Sequence, residues 1–312
     1  MFYLLQYLSG AFVISTGKEA MKNEKAPAAQ LSLFDIELPQ YINPEPEIPE
    51  PEPDKKEQSP VYRSASPAIV PDSYFITSPL PVKIPKVQDI LKKLERGLYR
   101  VNAHEFLSDV FECGAIAISN RFDMQKAAKR EQRYLQIIKK YDRDMQQLLL
   151  DIFADMSLLL MHQIHPAIGF NDYLGEIYMR SETSNKHTGQ FFTPYSVSKM
   201  CAKVSINGIL VKEYAEQDKI ITLSEPACGA GGMVIAAADV LYNEYHFNIA
   251  RNLLIECSDI DTRCVHMSYL QLALAGIPAI IYQRDTLTLK TWDRWETPAY
   301  IMQYWRFKDI LK

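Results

Sequence analysis

A helical bundle followed by an α/β domain with a parallel sheet is the fold class this 312-residue sequence predicts. Three observations carry it. Apolar residues recur on a helical period from Val87 to Met161. Short apolar runs then alternate with helix-length segments between Ile220 and Gln283. Between the first such run and the helix after it stands a turn of small residues, Glu225-Pro-Ala-Cys-Gly-Ala-Gly-Gly232. Strands alternating with helices of this length argue a parallel, doubly wound sheet.

Thirteen of the eighteen prolines fall between Pro27 and Pro85, and Pro44 to Pro53 alternates proline with glutamate over most of its length. Such a run can build neither a helix ladder nor a sheet ladder, so residues 1–85 are expected to be a disordered, extended tail. Met1 to Val13 is apolar but lacks a basic leader and is too short to span a bilayer, and no later segment is long and apolar enough to do so. Met21 is the expected true start. The net charge of −4 advertises no global nucleic-acid field, though a local cleft can still be basic. Five cysteines in no Cys-x-x-Cys pairing fit a reducing cytoplasm better than a disulfide framework or a zinc site.

Residues 86–188 read as the helical domain. Val87, Ile90, Leu91, Leu94 and Leu98 form one stripe, and Ala103 to Ile118 continues with Phe106, Leu107, Val110 and Phe111. The basic face Lys126, Lys129, Arg130, Arg133, Lys139, Lys140 suits either DNA phosphates or plain solvent. Met145 to Met161 reads as a buried helix. His162 and His165 at its end, with no acidic partners near, read as core or helix-end histidines and not as metal ligands. Asp172 to Met179 is a short helix and Arg180 to Thr188 a polar loop.

Residues 189–312 read as the α/β domain. A helix over Tyr195–Val204 precedes strand 220–224, helix 231–245, strand 252–257, helix 261–275 and strand 279–283. The order strand, small-residue turn, helix is how such a sheet receives a nucleotide-type ligand, because glycines admit close backbone approach and the helix offers free N–H groups. The pattern is not Gly-x-Gly-x-x-Gly and no Gly-Lys-Ser/Thr follows, so a dinucleotide or a nucleoside triphosphate fits poorly.

The turn resembles the cofactor loop of S-adenosylmethionine-dependent N6-adenine DNA methyltransferases. It is most similar to the modification subunits of type I restriction-modification systems, where Asp-Pro-Ala-Cys-Gly-Ser-Gly-Gly is typical. Gly189-Gln-Phe-Phe-Thr-Pro194 resembles the family's segment that closes over the methionine part of the cofactor. Ser258-Asp-Ile-Asp261 and Arg284-Asp-Thr-Leu287 resemble its next two blocks, and Leu174-Gly-Glu-Ile-Tyr178 its preceding helical region.

The resemblance implies a partial Rossmann-like sheet that binds S-adenosyl-L-methionine. Its contacts would come from Phe192, Thr193 and Pro194, from Glu225, Pro226, Ala227, Cys228, Gly229 and Gly231, from Asp259 and Ile260, and from Asp285 and Thr286. Asp259 would accept the ribose hydroxyls and Asp285 the adenine amine, while Asp261 would cap the following helix. The implied reaction is methyl transfer to the exocyclic amine of an adenine flipped out of DNA.

The family's catalytic string, Asn/Asp/Ser-Pro-Pro-Tyr/Phe, is absent. Its nearest counterpart is Thr297-Pro-Ala-Tyr300, in which Thr297 and the Pro298 carbonyl would accept the amine's hydrogens and Tyr300 would stack on the base. The plainer alternative is a surface turn leading into a helix. The resemblance therefore implies either a trimmed relative or a site completed by a partner chain, such as a specificity subunit. A catalytically silent module that binds DNA or replication proteins is the rival function. Gln30-Leu31-Ser32-Leu33-Phe34 resembles the pentapeptide with which bacterial proteins dock on the DNA polymerase sliding clamp, against the alternative of a chance apolar patch.

Overall fold

The structure, a computed structural model, describes residues 83–97, 101–182 and 192–303. The proline-rich tail, the Gln30–Phe34 pentapeptide, Met21 and Gly189 to Phe191 lie outside the described residues. All described residues belong to one compact unit, Pro67–Lys312.

Five helices come first: α1 (Val87–Gly97), α2 (Ala103–Ser119), α3 (Met124–Ile138), α4 (Arg143–Met161) and α5 (Tyr173–Glu182). The stripe Val87, Ile90, Leu91, Leu94 of α1 is buried, as its spacing requires. Asn102 caps α2 by accepting the N–H groups of His104 and Glu105, and Asp142 caps α4 through Met145. Two further helices, α6 (Tyr195–Ser205) and α7 (Gly208–Glu216), lead into the sheet.

The sheet is built from β1 (Ile221–Glu225), β2 (Leu253–Asp259), β3 (Ala279–Asp285) and β4 (Lys290–Glu296), in that spatial order. The first three run parallel; β4 turns back antiparallel on β3, with a bulge between Gln283 and Arg284. The crossovers are α8 (Gly232–Asn243), continued by the short α9 (Ile249–Asn252), and α10 (Thr262–Leu274); α11 (Pro298–Met302) closes the described chain. Because β1, β2 and β3 advance in one direction, right-handed crossovers set α8 and α10 on the same face. Among the described residues the sheet is thus wound on one side, half of the doubly wound arrangement expected. The opposite face holds Leu254, Ile280 and Tyr300, with Ile220, Tyr282 and Ile301 packed against them.

Helix α10 is the spine of the molecule. Every residue from Cys264 to Leu274 is buried, because α10 packs on β2 and β3 on one side and on α2, α4 and α5 on the other. The basic face of α3 is divided: Lys126 and Arg130 turn toward β4, whereas Lys129 and Lys139 are exposed. The Arg130 guanidinium is buried, lies 3.7 Å over the Trp295 ring and donates to the Arg294 carbonyl at 3.1 Å. Lys126 bonds Asp293 at 2.9 Å, and Arg133 pairs with Glu112 at 2.6 Å. Lys126 and Arg130 thus dock the bundle onto β4. His162 Nδ1 meets the Leu158 carbonyl and His165 Nδ1 accepts the Ala167 N–H, so both end a helix as expected.

Candidate cofactor site

The turn from Glu225 to Gly232 leaves the carboxyl end of β1 and enters α8. Gly229 (φ 55°) and Gly231 (φ 98°) are both left-handed, a conformation that costs other residues about 1–2 kcal/mol. Gly231 is the residue before the first turn of α8. A Cβ on Gly229 would stand 3.0 Å from Cδ1 of Phe192, so the aromatic ring lies directly against the turn.

Hydrogen bonds hold the turn from beneath. The Cys228 N–H donates to the Ser258 carbonyl at 2.9 Å and continues the β1–β2 ladder. Glu225 Oε1 accepts the Ala227 N–H at 3.2 Å. Ser268 Oγ donates to the Gly229 carbonyl at 2.7 Å, and Gln271 Nε2 to the Ala230 carbonyl at 2.7 Å. Thr286 Oγ1 donates to the Pro226 carbonyl at 2.5 Å, tying the end of β3 to the turn.

At the end of β2, Asp259 faces this turn. Its Oδ2 accepts the Gly229 N–H at 2.9 Å and its Oδ1 the Asp261 N–H at 2.9 Å. Each carboxylate oxygen offers about two acceptor positions, so each keeps one for a further donor such as a ribose hydroxyl. Asp261 caps α10 by accepting the Arg263 N–H, as its position predicts. Ile260 is 61% exposed beside Asp259, and Leu287 is 97% exposed beyond the end of β3.

Asp285 stands at the end of β3. Its Oδ1 accepts the N–H groups of Leu287 (3.0 Å) and Thr288 (3.3 Å), so it caps the β3–β4 turn, and hydrogen bonds from Thr288 hold its carboxyl below the usual range. Thr193 and Pro194 are exposed, and Phe192 is half-buried against Tyr178 with ring centroids 5.6 Å apart. Pro194 occupies the N-cap of α6. With Asn171 and the first turns of α5, the segment Phe192–Tyr195 lines a cavity of about 330 Å³.

Thr297, Pro298 and Tyr300 are not brought to this site. The Thr297 N–H donates to the Ala279 carbonyl, and Thr297 Oγ1 accepts the Ala279 N–H at 2.9 Å and donates to the Ile277 carbonyl at 2.8 Å. That is the amino end of β3. The cofactor turn lies at the carboxyl ends, about 20 Å away along a seven-residue strand. Thr297 is 0% and Tyr300 1% exposed, and Pro298 is buried. The segment is neither a surface turn nor an open catalytic loop, because β4 carries it back along the whole of β3 and buries it there.

Three residues of the site escaped the sequence reading. Ser268 and Gln271 lie three apart within the buried run Cys264–Leu274 of α10, a visible signal that polar groups in it need partners. Asp172 also escaped it. Its Oδ1 accepts the Gly175 N–H at 2.9 Å and Gln271 Nε2 at 2.8 Å, and burial raises its pKa.

With this geometry in view, the chain can be compared with known families. Residues 170–309 match the N-6 DNA methylase family. The matched segment, less than half of the chain, runs from before α5 past α11 and contains the turn, Asp259 and the α8 and α10 crossovers. No curated protein matches the chain. Among solved structures, the chain is similar to the type I restriction-modification system methyltransferase subunit from Streptococcus thermophilus, at 14% identity and a TM-score of 0.33. That likeness covers 65% of this chain and 59% of the other, so the chain spans less than two thirds of that relative. Among the described residues no helix is long and apolar enough to cross a membrane.

Proposed function

We propose that this chain binds S-adenosyl-L-methionine in the crevice beyond the carboxyl ends of β1, β2 and β3 and acts as the cofactor-binding part of a DNA adenine methyltransferase. The observation that carries this is Asp259, fastened to the Gly229 N–H with one acceptor position left on each oxygen. The fit extends outward. Left-handed Gly229 and Gly231 keep side chains out of the crevice, and exposed Ile260 and Leu287 offer apolar surface for a purine ring. Glu225, Pro226, Ala227, Cys228 and Thr286 shape the floor, while Phe192, Thr193 and Pro194 form the wall toward the methionine end.

The cofactor would supply a methyl group already activated on sulfonium. This chain's own residues would orient it: Asp259 would fix the ribose, and the Gly229–Gly231 backbone would set the depth of the nucleoside. Transfer also needs acceptors for the adenine amine and a stacking aromatic. Thr297, Pro298 and Tyr300 are buried too far from the crevice to serve, so a partner chain would present those groups, together with DNA recognition. Asp285, whose Oδ1 caps the β3–β4 turn, would offer Oδ2 to the adenine amine. Placement in the cytoplasm, a Pro/acid-rich tail over 1–85, a helical domain over 86–188 and clamp docking by Gln30–Phe34 complete the proposal. Loss of sliding-clamp co-purification on joint Leu33→Ala and Phe34→Ala substitution checks the last part.

The test is incubation with methyl-labelled cofactor and DNA. Cofactor retained by the chain alone, with label reaching adenine N6 only when a partner subunit is added, is the expected result. A silent module that binds DNA or replication proteins is the second possibility, favoured by the burial of Thr297 and Tyr300. It predicts retained cofactor and unlabelled adenine in every combination. A chain that retains no cofactor refutes the assignment.

A further inference from the structure

Asp172 is a buried acid with half of its hydrogen-bonding capacity unspent. It is 7% exposed and precedes α5. Oδ1 is satisfied twice, by Gly175 and by Gln271, whereas among the described residues Oδ2 has no donor. The fold makes room for this oxygen. A Cβ on Gly175 would come within 2.2 Å of Oδ2, and one on Gly232 would stand 2.9 Å from it. Two glycines, one in α5 and one at the first position of α8, are thus required by a single carboxylate.

Oδ2 is not sealed from solvent, so a cation or a strong donor can reach it. Asp172 opens on the cavity of about 330 Å³ between α5 and Phe192–Tyr195. Among the described residues no basic side chain lines that cavity, whereas Glu176 and Asn171 do. An anion would gain from the helix dipole at the start of α8, but Asp172 already supplies that negative charge, so the space favours a positive group. Phe192 connects the cavity to the cofactor turn, since the same ring borders the cavity and lies against Gly229.

We propose that Asp172 Oδ2 receives the α-ammonium of the cofactor's methionine end, with Gln271 holding the carboxylate in position; this rests on the S-adenosyl-L-methionine assignment above. The reciprocal Gln271 bonds to Asp172 and to the Ala230 carbonyl would then couple the ammonium subsite to the nucleoside turn.

The experiment is calorimetric titration of the full chain with S-adenosylhomocysteine and with its analogue lacking the α-amino group. Loss of a charge-assisted hydrogen bond should weaken the analogue by at least about tenfold. Asp172→Asn should weaken S-adenosylhomocysteine by a similar factor and leave the deamino analogue within about twofold, erasing the difference between the two ligands. Equal affinity of the wild-type chain for both ligands would overturn the proposal while leaving the nucleoside assignment intact. So would Asp172→Asn weakening both ligands equally. Binding of neither ligand would end both. The wild-type comparison needs no variant and decides the matter even if Asp172→Asn does not fold.

Discussion

Gly229 carries two demands at once: a left-handed backbone and an aromatic ring at van der Waals distance. Gly229→Ala should therefore cost about 1–2 kcal/mol of stability. It should also displace Phe192 and weaken cofactor binding beyond what the lost stability explains. Urea unfolding alongside ligand titration separates the two effects. His266 sets a pH limit. It is 3% exposed beside Trp295, and burial pushes its pKa down to about 4 from 6.5. The unfolded chain takes up a proton below about 6.5 that the folded chain refuses until about 4. The stability is thus fully present above that window and is lost as pH falls through it, on the order of 3 kcal/mol in all. Denaturant midpoints measured from pH 7.5 to 4.5 should fall, and His266→Phe should flatten the part of the fall above pH 5. Half-buried Glu112, whose pKa partial burial would raise but the hydrogen bond and charge of Arg133 bring below the usual value, loses stability in the same direction at lower pH.

At the level of elements, periodicity told helices from strands well wherever one side is buried. The stripe of α1 and the apolar runs of β1, β2 and β3 stand within a few residues of where their patterns put them. Two elements were illegible for physical reasons. Strand β4, Lys-Thr-Trp-Asp-Arg-Trp-Glu, is exposed at its start and buried only at Trp295 and Glu296, so its composition is that of a surface segment. Helix α7 opens on Asn207-Gly208, which reads as a loop, and leaves Ile209 and Leu210 exposed. Overlooking β4 misplaced the chemistry as well, because that strand carries Thr297 to the far end of β3. Since Thr297 Oγ1 joins Ala279 to Ile277, Thr297→Val should lower stability by about 1–3 kcal/mol. Cofactor affinity of the folded variant should stay unchanged. A specific loss of cofactor binding without a lower unfolding midpoint would show that the buried arrangement is wrong.

For the whole molecule, a bundle and a one-sided sheet share α10, whose Ser268 and Gln271 reach the turn while its neighbours fill the core between bundle and sheet. The turn, the acid at Asp259 and the helix cap at Asp261 were legible because each depends on local spacing. Asp172 and Gln271 were not, since their meeting joins residues 99 positions apart. A ligand that binds only the folded state at about a hundred times its dissociation constant adds about 2.7 kcal/mol, enough to raise the melting temperature by several degrees. Titration of the purified chain with S-adenosylhomocysteine, wild type beside Asp259→Asn, tests the central claim most directly. Saturable heat with a raised melting temperature in the wild type, and at least about tenfold weaker binding in the variant, is the predicted result. Absence of heat and of any thermal shift at millimolar ligand, or identical affinity in the two proteins, would contradict it.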